Sequence, residues 1–193
     1  MYKNLNVCVL GSVGVGKTSI IESATMGNYD REHIPTIENR FRKLLQHNKK
    51  VYNVFIHDTA SIRELNFLVK ESIGQCDSFI IVFSLNDENS IEKIQFYKDL
   101  IYDTLKCKKG SIPIIIAANK LDTKVNDSTI YQKIKKINRQ YSLPCIECTS
   151  KDNETTNSVF KLLVNNVEKK TFKRQMIPKL KFFLKKKFSS TSL

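Results

Sequence analysis

The segment Gly11-Ser12-Val13-Gly14-Val15-Gly16-Lys17-Thr18 constrains this chain more than any other, because it fits the pattern G-x-x-x-x-G-K-[ST] in a setting that gives the letters meaning. An apolar run ends at Leu10 and a run of helical period begins near Lys17, so the segment reads as strand, glycine loop and helix. Glycines let consecutive backbone N–H groups turn inward around a phosphate, and the positive end of the helix adds to the attraction. In such a loop Lys17 reaches the β- and γ-phosphates of a nucleotide and the Thr18 hydroxyl ligates Mg²⁺, with Ser19 counted beside them among the binding residues.

A strand-loop-helix opening implies alternating strands and helices, and the remaining sequence follows that rhythm. Strands are expected at 5–10, 41–46, 51–57, 78–84, 112–118 and 145–148, and helices at 17–26, about 63–73, 88–106, 128–139 and 154–172. The runs FIIVFS and IPIIIAA are apolar on both faces, as strands of a sheet covered by helices on both sides must be. Only the connection 48–50 is too short for a crossover, so an antiparallel hairpin is expected there. The fold class is therefore α/β, with a six-stranded, mostly parallel sheet, one antiparallel edge strand and about five helices. In the last helix Val159, Phe160, Leu163 and Val167 recur at helical spacing with Leu162 and Val164 on the flanks, and Pro178 is expected to end one helix and begin another. A chain of 193 residues with 41% hydrophobic content suffices for one packed domain.

Asn119-Lys120-Leu121-Asp122 follows directly on the apolar strand 112–118, at the sheet edge where α/β ligands bind. The Asp122 carboxylate can accept from both the ring N–H and the exocyclic amine of guanine, a donor pair that adenine lacks, and Lys120 can lay its aliphatic stem along the base. The pair of motifs thus selects GTP and GDP over ATP. A nucleoside or nucleotide kinase would use the first motif without needing Asp122.

With these residues in place the chain resembles a small GTPase of the Ras superfamily over about residues 4–172, and within it the Ras subfamily. The resemblance implies the P-loop NTPase small G-protein fold and assigns further roles. Asp58, in Asp58-Thr59-Ala60, would hold Mg²⁺ through water; Tyr29 would pack on the guanine edge; Thr36, in Pro35-Thr36-Ile37-Glu38, would contact Mg²⁺ and the γ-phosphate. Thr149-Ser150-Lys151 resembles the loop whose backbone N–H reads the guanine carbonyl. Effector proteins would dock on the switch regions 29–41 and 58–72, a guanine nucleotide exchange factor would reload a monomeric protein, and Asn39, where Ras proteins usually carry Asp, alters the effector surface.

The pattern breaks around the γ-phosphate. Ser61 replaces a glycine, Ile62 replaces the glutamine that orients the attacking water, and Val13 replaces the second glycine of the loop, where a side chain crowds an incoming arginine finger. Lys17 and Thr36 remain as catalytic groups, so hydrolysis is expected to be slow, with His33 as the alternative residue for positioning water. Two function classes stay open: a cycling switch, and a module held in one nucleotide state that only binds effectors. Cys145-x-x-Cys148 reads as strand cysteines on opposite faces, and His47 and His57 as strand residues.

Of the formal charge of +13, +9 lies in 169–187, which has no acidic residue. Leu180, Phe183, Leu184 and Phe188 share one helical face there, the layout of an interfacial amphipathic segment. The expected division is a GTP-binding domain at 1–172 and a basic tail at 173–193 that meets an anionic membrane surface through 173–188. No cysteine follows Cys148, so no prenyl or palmitoyl anchor is expected. A solvated tail, an import signal and a nucleic-acid arm share the same lysines, but large apolar groups favour membrane over nucleic acid. With no apolar run near the roughly 18 residues of a membrane span and no signal-peptide pattern, and with five scattered cysteines, the protein is expected inside the cell. Its expected place is the cytoplasmic face of a membrane, first the plasma membrane, with cytoplasm or nucleus as alternatives.

Overall fold

The structure is a computed structural model and describes residues 2–26, 38–59, 66–123 and 127–189. The elements follow in the order β1 (Tyr2–Gly11), α1 (Lys17–Met26), β2 (Glu38–His47), β3 (Lys50–Thr59), α2 (Asn66–Gly74), β4 (Ser78–Ser84), α3 (Glu88–Leu105), β5 (Ile114–Asn119), α4 (Asp127–Tyr141), β6 (Cys145–Glu147) and α5 (Asn153–Ser189). The six strands form one sheet in the order β2-β3-β1-β4-β5-β6, with β2 antiparallel to β3 and every other pairing parallel. The expected fold class is the observed one. Because the chain leaves β1 toward β3 on one side and returns to β4 on the other, the loop after β1 lies at the point where the strand order reverses, the place where open α/β sheets bind ligands.

Alternation along the strands divides the core in two. Cys8 and Leu10 join Phe79, Ile81 and Phe83 in one cluster with residues of α2, α3 and α4, while Val7 and Val9 join Ile80, Val82 and Phe160 in the other with residues of α1 and α5. All of β4 and β5 is buried, which explains their unbroken apolar sequences. Cys145 packs against the first cluster and Cys148 lies in the second, so the two thiols do face opposite sides of the sheet. In α5 Val159, Phe160, Leu163 and Val164 are buried and Leu162 and Val167 partly so, which moves Val164 from the flank into the core.

The hairpin closes through a two-residue turn. His47 pairs with Lys50, and the intervening Asn48 and Lys49 have φ of 47° and 60°, the paired left-handed conformations that match the twist of the flanking strands. The helix boundary expected at Pro178 is not present, since α5 is continuous from Asn153 to Ser189. A proline inside a helix removes one backbone hydrogen bond and crowds the preceding turn, but the turns on either side keep theirs.

A carboxylate locks the hairpin to α5. Glu168 accepts hydrogen bonds from Lys50 Nζ at 2.6 Å, Tyr52 Oη at 2.7 Å and Asn48 Nδ2 at 2.8 Å. Chiefly the Lys50 bond, then that of Asn48, pulls its pKa from 4.5 down to about 2. A carboxyl with a depressed folded-state value contributes stability that is present above its unfolded value and lost as pH falls through the folded one. Glu168→Gln should therefore cost about 1 kcal/mol near neutral pH, and urea unfolding should show the gap between parent and variant closing as pH falls from 4.5 toward 2.

Candidate nucleotide site

Three loops meet at the carboxyl edge of the sheet, each leaving the end of a parallel strand: 11–18 after β1, 119–122 at the end of β5 and 148–151 after β6. Two glycines of the first loop are required by their surroundings. A Cβ on Gly11 would stand 2.3 Å from the Val82 carbonyl oxygen, and one on Gly16 would stand 2.3 Å from Asn119 Nδ2, where φ is also +91°. Gly16 is therefore the gap through which the second loop reaches the first. Asn119, almost fully buried, passes through it and donates from Nδ2 to the Val15 carbonyl at 2.8 Å.

Lys17 is buried and folds back over the loop, donating from Nζ to the carbonyls of Gly11 at 3.0 Å and Ser12 at 3.1 Å. Burial lowers its pKa from 10.5 to about 8, against the opposing pull of Asp58. Thr18 Oγ1 donates to Asp58 Oδ2 at 2.5 Å, which brings a hydroxyl and a fully buried carboxylate together from residues 40 positions apart. This oxygen pair fits Mg²⁺, a hard cation bound by carboxylates and hydroxyls. Next to it Thr59 donates to the Val9 carbonyl at 2.7 Å and fixes the end of β3 against β1.

At the other end of the site Asp122 is gripped on both oxygens. Thr149 Oγ1 donates to Oδ1 at 2.7 Å and Lys151 Nζ meets Oδ2 at 2.8 Å, and these bonds, that of Lys151 first, keep the carboxyl below its ordinary range. The third loop is itself braced. The Cys148 N–H donates to the Ala118 carbonyl at 2.8 Å, the Leu121 N–H to the Cys148 carbonyl at 3.2 Å, and Asp152 caps α5 by accepting from the Glu154 N–H at 2.9 Å. Lys120 holds a left-handed backbone, φ 67°, at the bend between strand and loop.

The expected residues Gly11, Ser12, Val13, Gly14, Val15, Gly16, Lys17, Thr18, Ser19, Asp58, Asn119, Lys120, Asp122, Thr149, Ser150 and Lys151 fall within the described residues. Tyr29, His33, Thr36, Ser61 and Ile62 lie outside them. Val13 points outward and is 64% exposed. Sequence reasoning missed two neighbours of the site. Tyr97 of α3 is buried with its hydroxyl against the Ser12 side chain. The Cys148 thiol, pushed up to about 12 by burial, lies 3.9 Å from Asn119 Oδ1. Tyr97 sits in no recognisable motif, and Cys148, read from the sequence only as a strand cysteine, gave no sign of its contact with Asn119, since both act across the fold. Asn119→Ala should leave the buried Val15 carbonyl without its donor and cost about 1–3 kcal/mol, measured as thermal unfolding without nucleotide; an unchanged midpoint would contradict this role.

Comparison with known proteins agrees with this geometry. A model of the Ras family matches residues 6–169. The chain is 32% identical over 168 residues to a GTP-binding protein Rheb homolog of Dictyostelium discoideum, covering 86% of this chain and 89% of that protein. It is 31% identical over 172 residues to the Ras-like protein rasW of the same organism, covering 88% and 79%, and 26% identical over 170 residues to GTP-binding protein Di-Ras2 of Mus musculus, covering 88% and 85%. With a family match across most of its length and relatives above 30% identity, the chain belongs to the Ras family of small GTP-binding proteins.

Proposed function

We propose that the chain is a guanine-nucleotide switch that binds GTP and GDP with Mg²⁺, hydrolyses GTP slowly and holds to an anionic membrane surface through its basic tail. The observation that carries the reading is the joining of the loop at 11–18 to the Asp122 loop by Asn119, which makes a phosphate cradle and a guanine reader one rigid body. Asp122 accepts the two guanine donors, and its ionised state is maintained by Lys151 and Thr149. The N–H groups of 148–151 would meet the guanine carbonyl, and Lys120 and Tyr29 the faces and edge of the ring. Lys17 exchanges its two carbonyl acceptors for phosphate oxygens, and the negative charge of a phosphate favours its protonated form. Thr18, Asp58 and Thr36 are the residues that would hold Mg²⁺, which when bound neutralises charge on the phosphates.

For hydrolysis the supporting observations are chemical. Ile62 offers no donor or acceptor to a water molecule, Ser61 restricts a backbone that must bend, and the exposed Val13 narrows the approach of a partner's arginine. The same three residues support the second reading, a module that recruits effectors through 29–41 and 58–72 without cycling. An exchange factor is needed by the first reading and dispensable to the second.

Two measurements test these readings. Purified protein should bind GDP and GTP at micromolar concentrations or tighter and discriminate strongly against ATP, and Asp122→Ala should weaken GDP binding about 100-fold by removing two charge-assisted hydrogen bonds. Equal affinity for ATP and GTP would overturn the guanine assignment. In single-turnover assays Ile62→Gln should raise hydrolysis about 10-fold, with Val13→Gly adding less than its separate effect because both act on one water and one arginine. Rapid hydrolysis by the parent would instead direct attention to His33.

A further inference from the structure

The edge of the sheet opposite the nucleotide site carries an arrangement that the switch function leaves unexplained. Here β3 and β5 begin and α5 leaves the domain, flanked by the hairpin turn on one side and the loop between α3 and β5 on the other. Both flanks are fixed to α5. The hairpin turn is held through Asn48 and Lys50 on Glu168. Lys170 Nζ holds the other loop by donating to the carbonyls of Gly110 at 2.7 Å and Ile112 at 2.5 Å, while the Ser111 N–H donates to the Lys108 carbonyl and the Gly110 N–H to Tyr102 Oη.

Lysines occupy the outer positions of both flanks. Lys49, Lys106 and Lys108 are exposed, and among the described residues no carboxylate pairs with them. Of the acids nearby, Glu168 is engaged with Lys50 and Asp99 with Lys109 at 3.0 Å, while the exposed Asp103 acts on Lys109 through its charge. Two of the three lysines also stand where the backbone favours glycine. Lys49 has φ 60° at the second turn position, and Lys106 has φ 48° at the C-terminal cap of α3. Left-handed backbone in a residue with a Cβ is strained, and such strain is a pointer to function where a glycine would relieve it.

We propose that Lys49, Lys106 and Lys108 form a cationic collar around the exit of α5 that seats the domain on an anionic lipid surface. The inference rests on the membrane reading of the tail. α5 runs without a break from the collar to Ser189 through the basic stretch, about 30 Å of helix, so a surface along which that helix lies also passes the collar at its root. Cations on both flanks of a helix that lies along the surface face the same plane of negative headgroups, and a second copy of a chain carrying +13 would be repelled.

The test uses the full chain and phosphatidylcholine vesicles with and without phosphatidylserine, in low salt. The variants are Lys49→Gly with Lys106→Gly, and the same pair with Lys108→Gln. Each lysine removed should weaken binding to the anionic vesicles by roughly fivefold, GDP affinity should be unchanged, and the thermal midpoint should rise by about 2 °C or more as the strain is relieved. This opposition of sign separates a docking role from a structural one. Phe183, Leu184 and Phe188 changed to Ser should weaken binding through the tail alone. If the triple variant binds anionic vesicles as well as the parent, the collar is wrong and the tail reading stands. If the parent does not bind them, both fall. A lowered midpoint, or a loss confined to RNA binding, would equally overturn the collar.

Discussion

The hydrogen bond from Asn119 to the Val15 carbonyl is the contact on which the rest of the site depends. A phosphate loop is a run of backbone whose N–H groups must all point at an empty centre, and nothing within the loop forces that shape. Here the amide of Asn119 reaches through the space that Gly16 leaves open and holds the loop from outside. The distance between the phosphate cradle and Asp122 is thereby set by a strand end, β5, paired along its length with β4, which in turn pairs with β1. Two fully buried strands make a stiff ruler for the length of a nucleotide.

The same parallel sheet gives the molecule two unlike edges. At the carboxyl ends the strands release loops bearing acids, hydroxyls and, among the described residues, the buried Lys17, a chemistry suited to phosphate, metal and base. At the amino ends a glutamate and two lysines of opposite sides clamp α5 in place, and the leftover cations face outward. The two edges lie at opposite ends of the strands and are separated by the strands' length. The two carboxylates are held ionised in different settings: Asp122 by Lys151 and Thr149 at the candidate site, Glu168 chiefly by Lys50 where the hairpin meets α5.

Much of this was legible in the residues. The strand-loop-helix at 2–26, the buried strands β4 and β5 and the Asp122 loop each follow from local rules, since an apolar run covered on both sides and a glycine motif need no distant partner to be recognised. The hairpin was legible from a connection too short to cross the sheet. The continuity of α5 was not, because the rule that proline ends a helix weighs one residue, whereas the helix is kept by the turns on both sides of it.

The alternation of strands with helices, the guanine-type motif pair and the absence of a hydrogen-bonding side chain at Ile62 are all carried within a few consecutive residues and can be read from them. Only the tertiary structure decided that Asn119 holds Val15 across 104 positions, that Glu168 clasps Lys50 and Tyr52 across 118 and 116, and that lysines stand in left-handed backbone at 49 and 106. The physical reason is the range of each effect. Periodicity and motif are written along the chain, but a hydrogen bond between distant segments exists only once packing has fixed both partners to within a few tenths of an ångström, and no local pattern encodes that distance.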